Sequence, residues 1–205
     1  MLYQFVVSAV DLGTKKNPKD ATGAFLPWAK AHMRALVLAG HDARWTPLDL
    51  KNGKATADDI IPCDVLVFYG HGYRNGLQMW PRGAGKLTLL GEALEAKGVK
   101  ELHAYACTFA GSSQVDELVK AWPSMRQIWG HTTAGHCAWN PFICRVTPAG
   151  KGHPRWTRDV LGGTRADRLA LRSAIQSTRN DKMPLFARLP SMPMQQVLDE
   201  IRGVK

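Results

Sequence analysis

Asp64-Val65-Leu66-Val67-Phe68-Tyr69-Gly70-His71-Gly72 is the stretch on which the fold turns. Five apolar residues, β-branched or aromatic in the main, follow one another and stop at Gly-His-Gly, which is the pattern of a strand ending in a loop. It is the strongest strand reading in the chain.

Working outward, Leu102-His103-Ala104-Tyr105-Ala106-Cys107 reads as the next strong strand. Between the two lie a glycine-rich stretch, Gly76 to Gly85, read as a surface loop, and a helix over Leu87 to Lys97. That helix carries Leu90, Ala93 and Leu94 on its apolar side and has Gly98 past its end. One loop plus one helix is the content of a crossover between neighbouring parallel strands. Upstream, Leu2 to Val10 predicts an opening strand, read as central because its apolar run is continuous rather than alternating, and Pro27 to Ala39 a helix stopped by Gly40. Ala43 to Leu50 predicts a second strand, and Ala55 to Ile61 a short helical turn ended by Pro62. Downstream come a helix over Val115 to Ala121, a strand over Arg126 to Trp129 and a short strand over Phe142 to Val146. A basic amphipathic helix over Thr164 to Thr178, a connector from Met183 to Met194 and a last short helix to Ile201 complete the chain. This alternation is α/β layering with a mostly parallel sheet, and ligand-handling residues in such sheets gather past the C-terminal strand ends.

The chain has 205 residues, 45% of them hydrophobic and 21% charged, which is the composition of one globular domain. With 27 Lys and Arg against 17 Asp and Glu, its formal charge is +10, favouring encounter with acidic partners. Residues 1–150 carry a net +4 and residues 151–205 a net +6, so a basic C-terminal extension is expected to pack on a near-neutral core. No apolar window reaches 18 residues and the opening lacks a basic n-region. No membrane span is expected, and the location is read as cytoplasmic, or secreted by a route without a cleavable signal. The four cysteines have no tight paired spacing, which suggests a reducing compartment.

His71 and Cys107 each fall just past a predicted strand end. If the strands are neighbours about 4.8 Å apart, the two side chains can face each other across a shallow crevice. An imidazole near 6.5 can take the proton of a thiol near 8.5, leaving a thiolate to attack an acyl carbon. The backbone N–H groups of Gly72 and Cys107 are the candidate oxyanion donors. The plainer alternative is that His-Gly is a short motif and that a strand-end Cys is buried.

These motifs resemble those of the caspase-like cysteine peptidases, the clan of caspases, metacaspases, legumains, clostripain, gingipains and separase. In that family one apolar strand runs into His-Gly and another into Ala-Cys, here Val65 to Gly72 and Leu102 to Cys107. The resemblance implies a three-layer caspase-like sandwich, with residues 1–150 as a catalytic domain and 151–205 as the basic extension. It implies a cysteine endopeptidase cleaving protein or peptide substrates, with His71 as general acid/base, Cys107 as nucleophile and Gly72 as oxyanion donor. A specificity pocket would involve Asp11, Trp129, His131 and Thr132; Asp11 would select a basic side chain, or be an ordinary turn residue before Gly13. A bacterial peptidase delivered as an effector is the concrete form of this expectation. Departures are Phe109, where caspases have Gly two residues after the Cys, and Tyr105 and Ala106, where some branches have an acidic residue.

No cofactor and no metal are expected. His131, His136, Cys137 and Cys144 lie within 14 residues, but there is no CxxC or HExxH, and the His136-Cys137 adjacency sends those side chains apart. Gly83-Ala84-Gly85-Lys86 lacks the full phosphate-loop spacing. Arg155, Arg158, Arg165, Arg168, Arg172 and Arg179 with Trp156 could track phosphates, yet no nucleic-acid-binding motif accompanies them, and nucleic acid is not the expected partner. A caspase-like protein that binds in its crevice without cleaving is the remaining alternative. The oligomeric state is left open.

Overall fold

The computed structural model describes residues 1–8, 25–48, 55–73, 75–111, 115–131, 143–148 and 156–160. Strands β1 (Leu2–Ser8), β2 (Asp42–Leu48), β3 (Val65–Tyr69), β6 (Glu101–Tyr105), β7 (Gln127–His131), β8 (Ile143–Pro148) and β9 (Trp156–Val160) form one sheet, in the order β2-β1-β3-β6-β7-β8-β9. The first five are parallel, and β8 and β9 add antiparallel neighbours at one side. Two short strands, β4 (Gly72–Tyr73) and β5 (Gly76–Leu77), make a separate antiparallel pair. The helices are α1 (Phe25–Leu38), α2 (Lys86–Ala96) and α3 (Val115–Lys120). This is the mixed α/β fold, with a mostly parallel central sheet flanked by helices, that the sequence pattern predicts.

All five residues of β3 are buried, which is why its sequence is continuously apolar. Cross-strand register sorts the sheet into two chemically different faces. On one, the rows Gln4-Leu66-Leu102-Ile128 and Val6-Phe68-Ala104-Gly130 meet α2 and α3. Leu87, Leu90 and Leu94 of α2, Val115 and Leu118 of α3, and Trp122 complete a single hydrocarbon core there. Gln4 is fully buried in this face but satisfied. Its amide donates to Thr46 Oγ1 at 3.0 Å and to the Asp59 carbonyl at 2.6 Å, and its oxygen accepts from the Ile61 N–H at 3.1 Å. It thereby ties β1 to β2 and to the 3-10 turn Ala57–Asp59.

The other face is aromatic and polar. The rows Phe5-Val67-His103-Trp129 and Val7-Tyr69-Tyr105 lie there, and His32 of α1 reaches into them. The Tyr69 and Tyr105 rings stack at 4.3 Å, His32 sits edge-on to Phe5 and Tyr105, and its Nδ1 is hydrogen-bonded to the Tyr69 hydroxyl at 3.0 Å. Lower in this face, His103 Nε2 and Glu101 are paired at 3.1 Å. Burial pushes the Glu101 carboxyl up, but its hydrogen bonds to His103 and Gln127 outweigh that and leave it below its ordinary value.

At the start of the sheet Asp64 stitches three strands. Its carboxylate accepts the Leu2 N–H at 2.7 Å, its own N–H donates to the Leu2 carbonyl, and its carbonyl accepts from Lys100 and Glu101. Two sequence readings shift. Cys107 lies beyond the end of β6 rather than within the strand. The stretch read as a surface loop from Gly76 holds Leu77, Gln78, Met79 and Trp80, all buried. The glycines around them masked an apolar run that folds back under the sheet end. The predicted helix over Thr164 to Thr178, the loop from Thr14 to Gly23 and everything after Val160 lie outside the described residues.

Two predictions follow from this packing. A Cβ at Gly91 would stand 2.6 Å from the Leu118 carbonyl oxygen and 2.8 Å from the Ala121 Cβ, so α2 and α3 touch through the missing side chain. Gly91→Ala gains about 1 kcal/mol of helix propensity but overpacks the contact by about 1–3 kcal/mol. A net loss of stability in urea unfolding is expected. The second concerns pH. Burial, with the like charge of His103 second, holds the His32 imidazole down to about 3, against 6.5 when unfolded. Between those values the unfolded chain binds the extra proton, so this contribution is complete above the unfolded value and is lost as pH falls toward 3. The urea midpoint should drop across that window, on the order of a few kcal/mol in all, and His32→Phe should flatten the slope.

Candidate functional site

The site is assembled where the chain leaves β3 and β6 at their C-terminal ends. After Tyr69 the Gly70 N–H donates to the Tyr105 carbonyl, so the loop stays attached to the neighbouring strand for one more residue. The His71 N–H then donates to Gln78 Oε1 at 3.1 Å, and the Gln78 N–H returns a bond to the His71 carbonyl at 2.9 Å. Gln78 is buried and acts as the buckle of the β4–β5 hairpin. The Met79 carbonyl is anchored by the Ala55 N–H, and the Trp80 indole donates to the Lys86 carbonyl at the start of α2. The His71 segment is thus held from below by buried groups. At the rim of this hairpin the exposed Arg82 guanidinium lies 4.2 Å over the Tyr73 ring, a cation–π contact.

The chain leaving β6 turns more sharply. The Ala106 N–H donates to the Ala104 carbonyl, and Thr108 takes φ +54°. A β-branched residue in the left-handed region is strained, and such strain persists only where surrounding packing enforces it. Here Phe109 and Ala110, both fully buried, fix the 3-10 turn Phe109–Gly111 behind it. Nothing in the local sequence predicts Thr108 in this conformation.

The two loops meet backbone to backbone. A Cβ on Gly72 would collide with the Cys107 carbonyl oxygen and stand 2.8 Å from both the Ala106 Cβ and the Cys107 nitrogen. Only glycine fits, for reasons of space. His71, Gly72, Tyr73, Cys107 and Thr108 are each half-buried where the chain leaves these two strands, just past the buried Tyr69 and Tyr105. The sequence expectation that His71 and Cys107 follow adjacent parallel strands holds: β3 and β6 pair Val65 with Glu101 through to Tyr69 with Tyr105.

The remaining candidates are placed elsewhere or lie outside the description. Trp129 is buried in β7, edge-on to His103 at 5.7 Å, in the aromatic face of the sheet. His131 is the last residue of β7, paired with Ile143, and its side chain lies outside the described residues. Asp11, Thr132, His136 and Cys137 also lie outside them, as do Arg155, Arg165, Arg168, Arg172 and Arg179; Arg158 and Cys144 are described only as backbone positions in β9 and β8.

The cysteine endopeptidase expectation is corrected at this point. Among the described residues there is no Cys–His dyad geometry between Cys107 and His71, and no three His, Cys, Asp or Glu side chains come together. The hydrolase assignment is withdrawn with it, as are the protease vocabulary and the effector role built on cleavage. What the structure does fix is the His71 backbone, whose N–H and carbonyl are both bonded to Gln78 in the β4–β5 hairpin.

Comparisons with known proteins add little. No family model and no curated protein matches the chain. Among solved structures it is similar to a short-chain flavodoxin associated with a PDU bacterial microcompartment, with 16% identity, a TM-score of 0.31, and coverage of 60% of this chain and 76% of that one. Among the described residues, no helix is long and apolar enough to cross a membrane.

Thiol chemistry provides a check on these loops. Burial pushes the Cys63 thiol up to about 11, so it is un-ionised and inaccessible at neutral pH, whereas Cys107 is half-buried in the loop after β6. Iodoacetamide should label Cys107 in the native protein and Cys63 only on unfolding, as read by peptide mass spectrometry. Gly72→Ala should cost about 1–3 kcal/mol by overpacking and change the Cys107 labelling rate, because the added methyl must displace its backbone.

Proposed function

We propose that this chain is a binding protein on a caspase-like α/β sandwich, and that its crevice holds an extended acidic peptide segment of a partner protein without cleaving it. The observation that carries this reading is the Gly72–Cys107 backbone contact, which brings two half-buried strand-end loops together at the C-terminal edge of a parallel sheet. Ligands of open α/β sheets bind at that edge.

Several features support the finer parts. The five parallel strands followed by antiparallel β8, together with the His71-Gly72 and Ala106-Cys107 motifs, suit a caspase-like sandwich. The exposed Arg82 stacked on Tyr73 offers a cation and an aromatic surface at the groove's rim, and the formal charge of +10 attracts anionic segments.

Fluorescence anisotropy with labelled acidic, neutral and basic peptides tests the proposal. Acidic peptides should bind most tightly, less so as salt is raised, and be recovered at unchanged mass. Arg82→Glu should weaken binding about tenfold, equivalent to about 1.4 kcal/mol. Cys107→Ala should bind as the parental protein does. Equal affinity for acidic and basic peptides would overturn the reading.

A further inference from the structure

We infer that the chain forms a two-fold symmetric dimer by antiparallel pairing of β2 with β2 of a second copy, centred on Ala43. This inference is independent of the groove and of what the groove binds.

Among the described residues β2 is the terminal strand of the sheet, and its only sheet neighbour is β1. The Asp42 N–H donates to the Met1 carbonyl, so the backbone groups of Asp42 point toward β1. Strand geometry alternates, so Arg44 and Thr46 also face β1, while Ala43, Trp45 and Pro47 direct their backbone groups to the open side. Pro47, which has no N–H, stands on the outward set, where a missing donor costs the β1 ladder nothing. An open row of backbone donors and acceptors is a template for another strand.

The side chains select both the occupant and its register. Asp42 and Arg44 are exposed, opposite in charge and two residues apart on one face. When two copies pair about Ala43, Asp42 lies opposite the partner's Arg44, and Arg44 opposite the partner's Asp42. Both pairs occupy non-hydrogen-bonded sites, where side chains come closest. The two Ala43 residues exchange both of their backbone hydrogen bonds. Sliding the centre to Arg44 or to Asp42 sets like charges face to face, which is destabilising. Sliding it to Trp45 places Ala43 opposite the partner's Pro47, which cannot donate. One register satisfies charge and backbone together, and it is the self-complementary one that a two-fold interface requires.

Apolar surface borders this edge. Leu38 is 77% exposed, Val37 51% and Met1 54%, and Met1 is bonded to Asp42 itself. Val37 and Leu38 end α1, which leads into β2, and Met1 precedes β1.

Sedimentation velocity of the full chain over a wide concentration range tests the inference. The parental protein should move from the 22.6 kDa chain mass toward twice that value as concentration rises. Ala43→Pro removes an outward N–H and no bond to β1, so it should stay monomeric and folded by circular dichroism. Asp42→Arg should weaken the dimer at least tenfold, and Asp42→Arg with Arg44→Asp should restore it. A parental protein that stays monomeric throughout, or a charge swap that does not restore what the single reversal lost, overturns the inference.

Discussion

Burial of Val65–Tyr69 on both faces is the constraint from which the rest of the structure follows. A strand with no wetted side needs backbone partners on its left and right and a covering layer above and below. β1 and β6 supply the first. The α2–α3 layer covers one face, and α1 crosses the other. Asp64, one residue before the strand, secures the arrangement by bonding the backbones of Leu2, Lys100 and Glu101 at once.

The two faces meet that requirement in different ways. The α2–α3 side is nearly pure hydrocarbon, packed closely enough that Gly91 cannot carry a methyl group. The α1 side buries His32, Tyr69 and Tyr105. Their polar atoms must be kept neutral, so burial drives the His32 imidazole down and the tyrosine hydroxyls up. The His71 and Cys107 loops follow directly from the strand ends that carry Tyr69 and Tyr105.

The correction of the peptidase expectation shows where motif reasoning stops. The sequence places a His and a Cys after adjacent strands, and the backbone does so too. Catalysis, however, depends on the angle and distance at which two side chains emerge, which strand-end placement alone does not fix. Gln78 binds both backbone groups of His71, and Phe109 and Ala110 enforce the left-handed turn at Thr108. Gln78 lies in a stretch whose glycines read as surface. Its apolar neighbours Leu77, Met79 and Trp80 were the available signal that it is buried.

The layering, the strand over Val65–Tyr69, the helix ends at Gly40 and Gly98, and the adjacency of the His71 and Cys107 loops were all legible in the sequence alone, because each depends on residue spacing and local propensity. That β3 is covered on both faces is a finding of the structure. Only tertiary structure decided that Gly72 is required for space rather than for its φ, that Cys107 lies past the strand, that β9 joins the sheet, and that the α1 face buries His32 and two tyrosines while the other is almost wholly apolar. Each of these is set by contacts between segments tens of residues apart, and local sequence carries no record of such contacts.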